Sequence, residues 1–195
     1  MSGRKETQGR VLSLLEQPDL QEAVDELRRL PPAQVIRALL SFLSRDDEAL
    51  VSRAAQALGR TVADLTESDL EAGRNVLRRL LWSMNDESGS VVWGAPEGMA
   101  EILVRHQGLA AEYAHLLLGH LREEVSAAAG GRLERSLLHA VTRLAEARPA
   151  LLRSLGAAGR VRPFLQSREA AARELAARAI ALLEDEGEGS THTDP

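Results

Sequence analysis

Asp46-Asp47-Glu48-Ala49-Leu50-Val51-Ser52-Arg53-Ala54-Ala55-Gln56-Ala57-Leu58-Gly59 opens with acidic residues and continues with apolar residues at helical spacing. Leu50, Ala54, Ala57, Leu58 and, further on, Val62 fall on one face of a 3.6-residue period. Asp46 or Asp47 supplies the side-chain oxygen that satisfies the first free N–H groups of a helix. The stretch therefore predicts a long helix whose apolar stripe must be buried against a neighbour.

The same grammar recurs in both directions. Asp19, with Glu22 three residues later, has the spacing of a capping box. Pro31-Pro32 opens a helix carrying Ile36, Leu39, Leu40 and Leu43, and Thr66 and Asp69 mark the start of one carrying Leu70, Val76, Leu77, Leu80 and Leu81. Gly108 begins a segment running from Leu109 to Arg122, and Gly130-Gly131 precedes Leu133 to Ala147. Pro149 and Pro163 punctuate two shorter pieces, and Ser167 caps a last helix with Leu175, Ala179, Leu182 and Leu183. No stretch alternates like a strand for more than a few residues; Val91-Val92-Trp93 is too short to count. Helices that open successive units are expected near residues 47, 90, 131 and 168, with second helices near 67–84, 108–124 and 149–166, the last one split.

Asp46 to Gly59 resembles the core of a HEAT-like repeat, in the broad sense that includes the PBS-lyase type. Such units join an early Asp to a Val, an Arg and an Ala-Ala-x-Ala-Leu-Gly run. Arg168 to Ile180 is a looser copy, and Asp86 to Ile102 occupies the same slot, with Trp93 forty residues after Arg53. There Gly94-Ala95-Pro96-Glu97 replaces Ala54-Ala55-Gln56-Ala57. A helix pair recurring about every 40 residues is also the period of HEAT and armadillo arrays. The resemblance covers roughly residues 30–184. It implies an all-α fold, a short right-handed α-α superhelix of about four helix pairs, acting as an interaction scaffold rather than an enzyme. Residues 1–184 are expected to form one domain, with 1–30 as N-terminal capping helices and 31–184 as helix-pair repeats. The tail from Glu184 to Pro195 is acidic and Gly-rich, and residues 185–195 are expected to be disordered.

Composition narrows the function classes. The 195 residues contain no cysteine, which excludes disulfides, thiolate metal sites and thiol catalysis. The polar N-terminus has no apolar core of a signal peptide, and no apolar run approaches the roughly 20 residues that span a bilayer. A cytoplasmic protein with no membrane association is expected. A net charge of −5 argues against nucleic acid as the partner. His115 and His120 diverge on their helix and the other histidines lie on separate segments, so no metal site is expected. Ser136 and His139 share a helix face at i, i+3, but without a third orienting group they do not make a nucleophile. The arginine groups Arg28, Arg29, Arg37, Arg45 and Arg74, Arg78, Arg79 are read as solvated faces pairing with nearby carboxylates.

The candidate site is the segment around the only two tryptophans, Trp82 and Trp93, where aromatic residues are just 3% of the chain. Trp82 and Asp86 are spaced to share a helix face, and Asn85, Glu87 and Ser88 add donors and acceptors. Two indoles with a carboxylate between them suit a cation or a flat ring. A helix is expected to start near Ala95 with Pro96 in its first turn and Glu97 beside the positive helix end. Trp82, Asn85, Asp86, Glu87, Ser88, Trp93 and Glu97 are thus the binding candidates. No catalytic residue and no cofactor are assigned. The leading expectation is a non-enzymatic adaptor that binds another protein through a concave surface around Trp82 to Glu97. The resemblance implies two alternatives: a ligand- or cofactor-handling protein similar to HEAT-like bilin lyases, and a protein similar to HEAT-like DNA glycosylases, in which Trp82, Asp86 and Trp93 would face a damaged base.

Overall fold

The computed structural model describes residues 2–84, 92–121 and 131–185, and builds them almost wholly from helices. In chain order these are α1 (Ser2–Leu15), α2 (Leu20–Leu27), α3 (Pro32–Phe42), α4 (Glu48–Thr66), α5 (Leu70–Met84), α6 (Ala95–Arg105), α7 (Gln107–Gly119), α8 (Arg132–Ala147), α9 (Pro149–Ser154), α10 (Ala157–Val161), a 3-10 turn (Arg162–Gln166) and α11 (Ala170–Glu184). Three of the expected capping residues act as read, whereas Thr66 closes α4 with its hydroxyl on the Val62 carbonyl and Ser167 accepts from the Glu169 N–H, one residue before the last helix begins. The Asp19 carboxylate accepts from the N–H groups of Gln21 and Glu22, Asp47 from Leu50, and Asp69 from Ala72. His106 Nδ1 accepts from the Leu109 N–H at 3.1 Å, so this histidine caps α7 and is not free as a ligand through that atom. Gly131 precedes α8 at φ 79°, a left-handed conformation in which a Cβ would also stand 2.8 Å from Glu169 Oε2.

The helices stack in two layers. α4, α6, α8 and α11 pack side by side as one ladder, with α3 against α4 at its N-terminal end. Their starts, 48, 95, 132 and 170, lie close to the expected openings. α5 pairs with α4, α7 with α6, and the split α9–α10 segment follows α8, forming the second layer. The result is an all-α solenoid of helix pairs. Its core is continuous: Leu58, Leu77, Leu80, Met99, Ile102 and Leu103 are fully buried, each side chain contributing on the order of 1.5–3 kcal/mol.

The departure Gly94-Ala95-Pro96-Glu97 from the repeat motif does not keep α6 from stacking: Gly94 and Gly98 let the helix sit deeper than any ordinary side chain would allow. A Cβ on Gly94 would stand 2.5 Å from Val51 Cγ1, and one on Gly98 would stand 3.0 Å from Leu43 Cδ1. The Gly94 N–H donates to the Leu43 carbonyl at 2.9 Å, which pins the start of α6 to the α3–α4 turn. Ala95, Pro96, Gly98, Met99, Ala100, Ile102 and Leu103 are all buried. Helix propensity is weak in this stretch, and close approach to both neighbours decides the outcome instead. The helix does start at Ala95 with Pro96 in its first turn.

The motif arginine also finds its role. Arg53 Nε donates to the Leu15 carbonyl at 2.5 Å and its other nitrogen to Gln17, so α4 holds the carbonyls at the end of α1. Arg148 makes the same kind of clasp on Leu103 and Val104 at the end of α6, at 2.8 and 2.9 Å. Each satisfies carbonyls that a helix C-terminus leaves without partners.

Candidate functional site

Because α6 is recessed, a groove runs above it between α4 and α8. Two adjoining cavities of about 280 and 340 Å³ share Ser52, Glu97 and His139. Trp93, Glu97 and Glu101 are spaced at i, i+4 and i+8, so they line one face of α6 and its lead-in. Ser52 and Gln56 come from α4. Ser136, His139 and Arg143 come from α8.

Two carboxylates one turn apart meet different fates. Glu101, whose side chain is 9% exposed, is held by Arg143 Nε at 2.9 Å and by Arg105. Glu97, 20% exposed, has no guanidinium on it among the described residues. It accepts from the Ser136 hydroxyl at 3.3 Å and faces His139 Nδ1 at 3.8 Å. Burial holds the Glu97 carboxyl above the usual carboxylate range, and Glu48 pushes the same way; His139, Ser136 and Arg135 pull against them.

The third group that Ser136 and His139 lack in sequence is thus Glu97, but the order is wrong for a nucleophile. The carboxylate lies next to both the hydroxyl and the imidazole, whereas activation needs the imidazole to take the serine proton.

Charged side chains of α8 reach across the recessed helix. Arg132 donates to Asp46 at 2.8 Å while its guanidinium lies 5.4 Å from the Trp93 ring centroid. Arg135 bridges Glu48 of α4 at 2.6 Å and Glu169 at 2.7 Å. These contacts join residues 86 and 87 positions apart and tie α8 to the start of α4.

Of the sequence candidates, the groove brings together Trp93 and Glu97. Trp93 is half-buried and packs partly against the core. Trp82 sits on α5, 79% exposed, and is not among the described lining of the groove. The two indoles, expected on one concave surface, thus stand in two separate environments. Asn85, Asp86, Glu87 and Ser88 lie outside the described residues, as does the tail beyond residue 185. Sequence reasoning missed Arg132, Arg135 and Arg143 as groove residues, because their partners stand a whole repeat or two away. Of the outlying arginines read as paired, Arg28 meets Asp25 and Asp64, Arg29 Glu26, Arg74 Glu112 and Arg78 Glu71, whereas Arg37, Arg45 and Arg79 have no ion pair among the described residues, and Arg45 lines the groove instead. Among the described residues no cluster of three histidine or carboxylate side chains could hold a metal ion, and no helix is long and apolar enough to cross a membrane.

No protein-family model matches the chain. A stretch of 76 residues is 42% identical to an uncharacterized protein of Archaeoglobus fulgidus, covering 39% of this chain and 36% of that protein. Among solved structures the chain is similar to a designed armadillo repeat protein in complex with peptide (KR)4. The TM-score is 0.50 and the identity 18%, over 89% of this chain and 80% of that one. It is also similar to an engineered protein, with a TM-score of 0.50 and 16% identity, over 91% of this chain and 47% of that one. These likenesses show the fold: the chain is a helical-repeat solenoid of the HEAT and armadillo type.

Proposed function

We propose that this solenoid is a protein-interaction module whose groove over α6 takes a segment of another protein, with Trp93 as the apolar anchor and Glu97 as the polar one. The observation that carries this reading is the contrast on α6: Glu101 is neutralised by two arginines, while Glu97 one turn away is partly buried at the groove floor with no arginine on it among the described residues. A partly buried carboxylate without a guanidinium or ammonium partner costs folding free energy, and such costs accumulate where a ligand supplies the missing partner. The half-buried indole beside it offers contact area at little entropy cost.

The groove is polar along both walls, and most arginines on it already have carboxylates, which does not favour a phosphate backbone as occupant. Panning a random dodecapeptide display library on the full chain tests the reading. Enriched peptides should shift the emission of Trp93 in a Trp82→Phe background, where it is the sole tryptophan, and should lose affinity for Trp93→Ala. Failure to enrich any peptide, or enriched peptides that leave Trp93 emission unchanged, would remove it.

A further inference from the structure

The environment of Glu97 also bears on what the bound segment carries. Among the described residues, the other acids that form ion pairs around the groove do so with arginines. Asp46 has Arg132, Glu48 and Glu169 share Arg135, and Glu101 has Arg143 and Arg105. Glu97 has a serine hydroxyl at 3.3 Å and a histidine at the edge of ion-pair range. The ladder could have placed an arginine there, as it did one turn on at Glu101. At Glu97 the α8 positions that face it are Ser136 and His139, both too short to fill the space, and the two cavities meet there.

We infer that the segment seated in this groove presents a lysine or arginine side chain to Glu97, beside the Trp93 ring. This rests on the docking reading above and adds the chemical class of the partner residue. A cation at this position would complete the charge pattern of the α6 face, giving Glu97 what Arg143 gives Glu101. Of the guanidiniums that line this cavity, Arg132 and Arg135 are each neutralised by their own carboxylates, and Arg45, which has no ion pair among the described residues, is exposed to solvent that screens it. Trp93 adds a ring face to the same pocket.

The same library, panned in parallel on wild type, Glu97→Gln and Glu97→Lys, tests it. Gln keeps the shape and a hydrogen-bonding head, so the variant folds; its circular dichroism and melting point confirm this before panning. Wild type should enrich peptides that share a Lys or Arg at one aligned position. Replacing that residue by Gln should weaken binding at least tenfold, and so should Glu97→Gln, without the two losses adding. Glu97→Lys should reject these peptides. If wild type enriches peptides with no shared basic position, or if Glu97→Lys holds them equally well, the inference is overturned while docking survives. If nothing is enriched, docking itself fails and this inference falls with it.

Discussion

Gly59 of α4 faces the backbone of Glu101 of α6 so closely that a Cβ on Gly59 would stand 2.6 Å from the Glu101 carbonyl oxygen. The obstacle is backbone on both sides, so neither helix can yield by changing a rotamer. Gly59→Ala should therefore destabilise the protein by about 1–3 kcal/mol despite the better helix propensity of alanine. Gly9 lies in α1 with nothing within 4 Å of its absent Cβ, and Gly9→Ala should instead stabilise by about 0.5–1 kcal/mol. Denaturant midpoints at constant m-value read both; equal effects would mean that the α4–α6 approach is looser than described.

Glu97 and Glu101 should respond to neutralisation with opposite signs. Glu101→Gln strands Arg105 and Arg143 and should cost about 1–3 kcal/mol. Glu97→Gln removes a charge that burial disfavours, and should hold or raise stability at neutral pH. The pH dependence follows from the direction of the shift. Glu97 has a folded-state pKa above its unfolded value, so its ionisation penalises the fold fully above that pKa. The penalty disappears as pH falls toward the ordinary glutamate value of about 4.3. The stability gap between Glu97→Gln and wild type should thus widen with rising pH and then level off. A gap that narrows with rising pH would contradict the geometry.

The two indoles should be separable by light. Trp82, 79% exposed, should emit like tryptophan in water and be readily quenched by acrylamide in a Trp93→Phe background. Trp93, half-buried against the core and under Arg132, should be protected in Trp82→Phe. Trp82→Ala should change stability by no more than about 0.5 kcal/mol, and Trp93→Ala should cost about 1–3 kcal/mol through lost packing and the cation–π contact.

What could be read in the chain, and what could not, follows from the range of each interaction. Caps such as Asp19, Asp47 and Asp69 act within three residues, so they were visible. The period was visible because each apolar stripe is local to its own helix. The register is borne out in space, with Gly59 beside Glu101 and Leu58 beside Gly98, each about one repeat apart. Ser136 and His139 were seen to share a face, but the carboxylate that completes them lies 39 and 42 positions back, on another helix. Tryptophan clustering in sequence misled for a related reason. Trp82 ends an outer helix and Trp93 leads into an inner one, so sequence proximity set them in different layers.

The motif arginine supplies the remaining prediction. Arg53 donates to the Leu15 and Gln17 carbonyls, so one side chain of α4 satisfies the end of α1 and fixes how the first helix sits on the array. Arg53→Met keeps much of the apolar stem but removes both charge-assisted bonds, and should cost about 1.5–3 kcal/mol. The loss should be local as well as global: amide exchange should accelerate in α1 more than in α8. Arg28, half-exposed and paired with Asp25 and Asp64, is the contrast, and Arg28→Met should cost under about 1 kcal/mol because water screens such pairs. Arg148→Met should behave like Arg53→Met, with exchange accelerating at the end of α6 instead. If Arg53→Met proved as mild as Arg28→Met, its bonds to α1 would be incidental and the motif arginine would need another role.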